Sequence, residues 1–352
     1  MARALELAAR GLFTTTPNPR VGCVVVKDGV VAGEGWHEKA GESHAEPMAL
    51  QAADGKAAGA TVYVTLEPCA HHGRTPPCVD ALLAAKPARV VAAIADPNPD
   101  TAGKGLEKLR AAGITVDVGL MDAEARELNI GFFARMTRGT PWVRMKVAAS
   151  LDGRTALADG QSQWITGDAA RKDGHAWRAR ACAVLTGVGT VKSDDPQLNV
   201  RDVETTRQPL RVVVDSRLQT PLNARVLRPG TLFAAAGVDA PRSVALRARG
   251  AEVVVLPNHD GKVELPDLLQ ELARRGCNEI HVEAGHKLNG SLLQAGLVDE
   301  LLIYMAPCIL GDTAQGMFHL PPLAKLADRC NVRITDVQQI GADLRVLARV
   351  DR

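Results

Sequence analysis

The sequence predicts an α/β protein of two domains. Short β-rich runs alternate with longer stretches of helical periodicity along the chain, the pattern of strands covered by helices. At 352 residues there is enough chain for about two hydrophobic cores, at roughly 150 residues each. A long helical pattern is stopped at Gly139-Thr140-Pro141, where Gly and Pro act as terminators. The expected domains are therefore 1–140 and 141–352.

Composition narrows the function before any motif is read. Net charge is +2, from 42 basic and 40 acidic residues, and no run of like charge marks a nucleic-acid arm or a polybasic membrane patch. A small-molecule substrate is expected, with no nucleic acid and no membrane as partner. The hydrophobic 46% is spread in short blocks, none near the roughly 18 apolar residues of a membrane span. Seven cysteines at irregular spacing, in a chain that opens without an apolar signal region, point to a reducing cytoplasm rather than a disulfide framework.

In the first domain, Val21–Lys27 and Val30–Trp36 read as a hairpin, because Asp28-Gly29 supplies the positive φ angles of a two-residue turn. A helix is expected over His44–Ala53, capped by Ser43, with Pro47 in its first turn and Met48, Leu50 and Ala52 or Ala53 facing inward. Thr61–Glu67 is a strand and Cys78–Ala85 a helix. Arg89–Ala95, Gly103–Ala112 and Ile114–Gly119 continue the alternation, and a single helix runs from Ala123 to about Arg138.

This layout gives chemical meaning to one group of residues. His44 and Glu46 stand at a helix start, while Cys69 and Cys78 flank one strand-to-helix loop. One imidazole and two thiolates make a zinc site with a fourth position open to water, and a carboxylate two residues from a ligand can move protons. Positive helix ends would favour the thiolates. The pattern is the signature of nucleobase zinc deaminases. Two alternatives stay open: a closed structural zinc completed by His71 or His72, and a core histidine beside buried thiols. Glu46 weighs against both, because neither has a use for it.

In the second domain, strands are expected at Trp142–Ala149, Ala181–Thr186, Leu210–Asp215, Thr231–Ala236, Glu252–Leu256, Glu279–Glu283, Glu300–Ala306, Arg333–Gln338 and Leu344–Val350. Helices are expected at Gly167–Arg180, Pro266–Arg275 and Lys287–Ala295. Gly187-Val188-Gly189-Thr190 follows a strand but is not the dinucleotide fingerprint, and reads equally as a tight turn. Glu283-Ala284-Gly285-His286, running toward Leu288-Asn289-Gly290-Ser291, places a glycine loop at a helix start whose free amides can hold a pyrophosphate. Asp215-Ser216-Arg217 ends a strand with a hydroxyl and a guanidinium that would suit the extra phosphate of NADP; simple capping is the alternative.

The fine pattern resembles one family. Thr16-Pro17-Asn18-Pro19-Arg20-Val21-Gly22-Cys23, Gly35-Trp36-His37, His44-Ala45-Glu46 and Glu67-Pro68-Cys69-Ala70-His71-His72-Gly73-Arg74-Thr75-Pro76-Pro77-Cys78 are similar to the deaminase half of the bacterial bifunctional riboflavin-biosynthesis deaminase/reductases. Eight residues separate the cysteines, where most zinc deaminases have two, and that spacing is a mark of the family. Lys146-Val147-Ala148-Ala149-Ser150-Leu151-Asp152-Gly153-Arg154, Ser162-Gln163-Trp164-Ile165-Thr166, Gly189-Thr190-Val191, Asp194 to Arg201 and Val282-Glu283-Ala284-Gly285 are similar to its reductase half.

The resemblance implies a cytidine-deaminase-like three-layer domain followed by a dihydrofolate-reductase-like domain. It implies Zn²⁺ on His44, Cys69 and Cys78, with Glu46 moving the proton to the departing ammonia. Substrate contacts in the deaminase half would fall on Asn18, His37, Arg74, Thr75, Asp96 and Asn98. NADPH would lie along Ala148, Trp164, Thr190, Asp194, Ser216 and the loop of Gly285, His286, Lys287, Leu288, Asn289, Gly290 and Ser291. The phosphorylated sugar would meet Ser162, Arg178, Leu198, Arg201 and Glu283, with Lys146 and Glu283 orienting it and moving its protons. Arg178 and Arg201 make chemical sense as phosphate anchors, since a guanidinium engages two phosphate oxygens. The implied reactions are hydrolytic deamination of a phosphoribosylated diaminopyrimidine and NADPH-dependent reduction of its ribosyl group to ribityl. The family is often oligomeric, so the resemblance admits a homo-oligomer.

Overall fold

The structure is a computed structural model that describes residues 1–72, 76–99 and 101–351. The chain divides into two compact units, Met1–Thr140 and Pro141–Arg352, each with its own core.

The first unit contains α1 (Ala2–Arg10), β1 (Gly22–Lys27), β2 (Val30–Trp36), α2 (Ala45–Ala52), β3 (Thr61–Val64) and α3 (Cys78–Ala85). After these come β4 (Arg89–Ala92), α4 (Lys104–Ala111), β5 (Thr115–Val118), α5 (Asp122–Leu128) and α6 (Ile130–Arg138). Among the described residues its sheet has the order β2-β1-β3-β4-β5, antiparallel on either side of β1 and parallel from β3 to β5. The hairpin closes as expected, with Asp28 at φ 51° and Gly29 at φ 78°. Alternation along β1 splits the layers. Cys23 and Val25 join Ala45 and Ala49 of α2, Val79 and Leu82 of α3, and Leu106 and Leu109 of α4. Val24, on the opposite face, meets Ala4 and Leu7 of α1, and Leu66 and Ile94 on that side pack with Phe132 and Phe133 of α6. The result is a three-layer α/β/α unit.

Three readings of this unit need correction. The fully buried apolar positions of α2 are Ala45 and Ala49, followed by Ala53 at its C-cap; Leu50 packs partly buried against the same core as expected, whereas Met48 is only half-buried and outside that core, and Ala52 is exposed. The reason lies in β2: a Cβ on Gly33 would stand 2.3 Å from the Ala49 carbonyl oxygen, and one on Gly35 2.5 Å from the Ala49 nitrogen. Helix and strand approach so closely that only small residues fit between them. His44, not Ser43, is the N-cap of α2. The expected helix over 123–138 is broken at Asn129, whose side chain accepts from the Arg20 amide at 2.8 Å and donates to the Arg20 carbonyl at 2.9 Å. That buried pairing spans 109 residues of sequence and outweighs helical continuity. Helix α1 was not expected, and β3 ends at Val64, short of Glu67.

The second unit contains β6 (Trp142–Ser150), β7 (Arg154–Ala156), α7 (Asp168–Arg180), β8 (Ala183–Gly187), α8 (Val188–Asp194), β9 (Leu210–Val214), β10 (Leu232–Ala235), α9 (Ala240–Arg247) and β11 (Glu252–Val255). It continues with α10 (Leu265–Arg274), β12 (Glu279–Val282), α11 (His286–Gln294), β13 (Glu300–Ala306), β14 (Gln315–Gly316), a 3₁₀ turn (Leu326–Asp328), β15 (Val332–Ile340) and β16 (Asp343–Val350). Among the described residues its large sheet has the order β11-β10-β9-β8-β12-β6-β13-β16-β15, parallel from β11 to β13 and antiparallel at β16 and β15. β7 and β14 form a separate two-stranded ribbon.

Valines and leucines from β6, β8 and β12 pack under α10 and α11 on one face. The other face carries α7, α8 and α9. Under α7 the sheet is ionic: Arg144, with a side chain 2% exposed, bonds Glu279 at 3.0 Å and also Glu300, while Arg180 reaches Glu279 at 2.7 Å and Arg349 reaches Glu300 at 3.1 Å. Gly187-Val188-Gly189-Thr190 is not a tight turn but the N-cap and first turn of α8. Helix α9, capped by Asp239, was not expected.

Candidate active sites

In the first unit the local folding of two helix starts makes the site. His44 has extended backbone, φ −77° and ψ 169°, and hands the chain into α2, which turns Glu46 into the buried first turn. Cys78 is the first residue of α3 and donates its amide to Cys69 Sγ at 3.2 Å. His44 Nδ1 lies 3.2 Å from Cys78 Sγ and 3.7 Å from Cys69 Sγ. All three donor atoms lie within 4.8 Å of one another, and among the described residues they form the one candidate metal group. Neither His71 nor His72 joins it; His71 Nδ1 pairs instead with Thr101 Oγ1 at 3.2 Å.

The donor set fits zinc: one imidazole nitrogen and two sulfurs converge, with no fourth protein ligand among the described residues. Hydrogen bonds from Cys78 and His44 draw Cys69 down, toward the thiolate that a metal needs. Cys78, which shares its hydrogen with Cys69, is pushed up. Burial raises the Glu46 carboxyl to about 7, with the neighbouring Cys69 charge adding to it.

The remaining positions around this centre are tied to it. His37, 3% exposed, uses both ring nitrogens: Nδ1 donates to the Ser43 carbonyl at 2.9 Å, and Nε2 accepts from Asn18 Nδ2 at 3.1 Å. Its ring meets that of His44 edge-on, centroids 5.2 Å apart. Asp96 accepts the Asn98 amide at 2.8 Å, an Asx turn that fixes Asn98, and burial lifts Asp96 to about 6. Arg74 and Thr75 lie outside the described residues. Sequence reasoning missed Glu67. Its buried carboxylate accepts the amides of Asp96, Gly103 and Gly105 at 3.1, 3.0 and 2.9 Å, joining the segment before Cys69 to the Asp96–Asn98 turn and the start of α4. The signal was present as a glutamate directly before Pro68-Cys69, but its partners are distant in sequence.

In the second unit, the parallel strands β8, β12 and β6 are adjacent, and Glu283 and Gly285 follow the carboxyl end of β12 while Thr190 follows that of β8, the end at which open α/β sheets bind ligands. Lys146 on β6 makes no hydrogen bond among the described residues and lies 6.0 Å over the Tyr304 ring; burial lowers its pKa. Glu283, just past β12, is held by both Nε and Nη2 of Arg178, the latter at 2.8 Å, and this pairing keeps it ionised. Arg178 Nη1 bonds the Asn199 carbonyl at 3.0 Å, and the Asn199 side chain accepts from Arg201 at 2.7 Å, so Asn199 brings the two guanidinium groups together. Three of the five N–H donors of Arg178 are therefore engaged, with its Nε–Nη2 edge turned to Glu283. Leu198 is buried in the core with φ 50°, a left-handed conformation that costs a non-glycine residue about 1–3 kcal/mol.

Along the expected cofactor line, Gly285 lies beside Thr190 and caps α11, so the amides of His286, Lys287 and Leu288 fall in the first turn, beyond reach of a helical carbonyl. The later residues of that stretch serve the fold. A Cβ on Gly290 would lie 2.0 Å from the His319 carbonyl oxygen, and Ser291 Oγ donates back to Lys287 at 3.0 Å. Asp215 takes the Gln219 and Thr220 amides and the Thr220 hydroxyl, which closes a turn rather than caps a helix, while Ser216 Oγ accepts the Val263 amide at 3.2 Å. Trp164 is 71% exposed, with Arg171 stacked 4.7 Å above its ring. Ala148 lies on β6, Asp194 ends α8, and Ser162 precedes Trp164 in the loop leading to α7. His281 was missed, and its only sequence signal is a histidine within an apolar strand.

Comparison with known proteins covers the whole chain. Residues 1–94 match the family described as cytidine and deoxycytidylate deaminase zinc-binding region, and residues 141–346 match the RibD C-terminal domain. The chain is 51% identical over 357 aligned residues to riboflavin biosynthesis protein RibD of Escherichia coli, covering 98% of this chain and 96% of that protein. It is 43% identical to the Aquifex aeolicus protein of the same name, with 98% and 96% covered. Among solved structures it is similar to Acinetobacter baumannii RibD, with TM-score 0.93, 45% identity and 100% and 98% coverage. It is also similar to a diaminohydroxyphosphoribosylaminopyrimidine deaminase/5-amino-6-(5-phosphoribosylamino)uracil reductase of Thermotoga maritima, with TM-score 0.87, 34% identity and 100% and 97% coverage.

Proposed function

The chain belongs to the family of bifunctional riboflavin-biosynthesis deaminase/reductases, and from that premise we propose how its residues divide the work. It is an enzyme of two activities with zinc and NADPH as cofactors. It deaminates 2,5-diamino-6-(5-phosphoribosylamino)pyrimidin-4(3H)-one and reduces the ribosyl group to ribityl, giving 5-amino-6-(5-phosphoribitylamino)uracil. We assign deamination to residues 1–140 and reduction to residues 141–352.

For deamination, His44, Cys69 and Cys78 hold the metal. Zinc, when bound, supplies Lewis-acid activation of water at the coordination position the protein leaves open. Glu46 takes the proton of the attacking water and delivers it to the exocyclic nitrogen: the bond from oxygen to C2 forms, the C2–N bond breaks, and ammonia leaves. His37 holds the Asn18 amide, and the Asp96 turn holds Asn98, so that both amides can read the pyrimidine; Arg74 and Thr75 serve the phosphoribosyl group. The observation that carries this reading is the convergence of three donor atoms within 4.8 Å beside a buried carboxyl.

For reduction, NADPH when bound supplies the hydride that C1′ of the opened sugar imine receives. Lys146 and Glu283 orient the sugar and move its protons, while Ser162, Arg178, Leu198 and Arg201 frame the phosphorylated chain. Ala148, Trp164, Thr190, Asp194 and Ser216 border the cofactor, and the first-turn amides of α11 face its pyrophosphate. Seven free cysteines suit a reducing cytoplasm, and among the described residues no helix is long and apolar enough to cross a membrane.

The test is Glu46→Gln in the full-length enzyme. Ammonia release should fall about 10²- to 10⁴-fold, while NADPH oxidation on pre-deaminated substrate survives. Equal loss of both activities would refute the division of labour.

A further inference from the structure

Arg178 presents a conflict between its present contacts and its assigned role. Three of its five N–H donors are taken: Nε and Nη2 each give one to an oxygen of Glu283, and Nη1 gives one to the Asn199 carbonyl. A substrate phosphate gripped by that same Nε–Nη2 edge takes the place of Glu283, and a carboxylate released into a largely buried pocket needs another donor.

Behind Glu283 stands such a donor. His281 projects from β12 on the same side as Glu283, two residues away on the strand. It is 0% exposed, neither ring nitrogen has a hydrogen-bond partner, and Nε2 lies 3.3 Å from Glu283 Oε1 without the alignment of a hydrogen bond. Buried polar atoms are almost always paired, so two unpaired nitrogens on one central strand call for an explanation. An apolar residue of similar size would pack there without that cost. Burial lowers the pKa of the ring and so favours its neutral form; Glu283 just past its own strand opposes this, while the charges of Arg178 from α7 and Arg144 from β6 reinforce it. A neutral imidazole with its hydrogen on Nε2 donates one hydrogen bond in the direction of Glu283.

We propose that His281 is the reserve donor of Glu283: when the substrate phosphate draws Arg178 away, the carboxylate turns onto the His281 Nε2 hydrogen and stays fixed beside the sugar. His281 is thus a positioning residue, acting through Glu283. The proposal rests on the reading that Arg178 and Glu283 meet the substrate.

The experiment compares His281→Leu, His281→Gln and Glu283→Gln in the full-length enzyme. It records NADPH oxidation on pre-deaminated substrate, ammonia release and thermal midpoints. His281→Leu should raise the reductase KM about tenfold or more, with ammonia release unchanged and the thermal midpoint unchanged or higher. His281→Gln, which keeps an N–H donor, should recover most of that loss. An unchanged KM in His281→Leu overturns the proposal. So does a His281→Leu protein that fails to fold, or a KM loss that tracks a lowered midpoint and is not recovered by His281→Gln, because those outcomes make His281 a structural residue. Retained reductase activity in Glu283→Gln would instead remove the reading of Glu283 on which the proposal rests.

Discussion

Gly35→Ala should cripple deamination without touching any group that meets the substrate. The new Cβ would stand 2.5 Å from the Ala49 nitrogen, 2.6 Å from the Ala45 carbonyl oxygen and 2.7 Å from Met48 Cβ. Two of these are backbone atoms of α2, so no side-chain rotation relieves the clash. Ordinary contact begins near 3.4 Å, so the helix must retreat by about 0.9 Å. That helix carries His44 as its N-cap and Glu46 in its first turn. A displacement of about 1 Å at a catalytic group costs on the order of 10²-fold in rate, and the overpacking itself costs about 1–3 kcal/mol. Ammonia release measured on full-length protein should therefore drop about a hundredfold. NADPH oxidation on pre-deaminated substrate serves as the internal control and should be unchanged, and metal analysis separates loss of zinc from displacement of Glu46. Near-normal ammonia release from a folded Gly35→Ala protein would refute the reasoning, since it would mean that α2 tolerates the shift.

Three further outcomes are expected. Metal analysis should find about one zinc per chain, lost in Cys78→Ser together with ammonia release; zinc retained at full content would exclude Cys78 as a ligand. Arg144→Met leaves Glu279 and Glu300 buried without their shared partner and should destabilise the C-terminal unit by about 3–5 kcal/mol in denaturant titrations. A loss below about 1 kcal/mol would show that Arg180 and Arg349 suffice. His175 is lowered to about 4, chiefly by burial, against an ordinary 6.5. Its unfolded form therefore binds the proton first, and stability present above pH 6.5 is lost as pH falls toward 4, by up to about 2 kcal/mol at pH 5. His175→Gln should flatten that slope in thermal melts, and an unchanged slope would assign the acid sensitivity elsewhere.

Legibility in the sequence followed the range of the forces involved. The hairpin at Asp28-Gly29 was readable because its turn demands positive φ at adjacent residues. The metal group was readable because ligand identity and spacing are local properties of two helix starts. Ala45 and Ala49 were missed as the innermost positions of α2, and Met48 was wrongly preferred, because hydrophobicity favours the larger residue whereas the deciding constraint sits on another element, at Gly33 and Gly35. The break at Asn129 depends on Arg20, 109 residues earlier, and no periodicity encodes it. The engagement of Arg178 by Glu283 escaped for the same reason: each residue alone reads as a ligand contact, and only the fold reveals that they contact each other.

The position of β12 bears on how the polypeptide is made. It lies between β8 and β6, yet it is synthesised about a hundred residues after the first and well over a hundred after the second. Until residues 279–282 leave the ribosome, both neighbours present unpaired edges, the kind that recruits other chains. Residues 1–140 by then form a complete unit with a closed core, so the nascent chain carries a finished half while its other half waits for its middle strand. Premature termination before β12 should therefore yield a soluble N-terminal half attached to an aggregation-prone remnant.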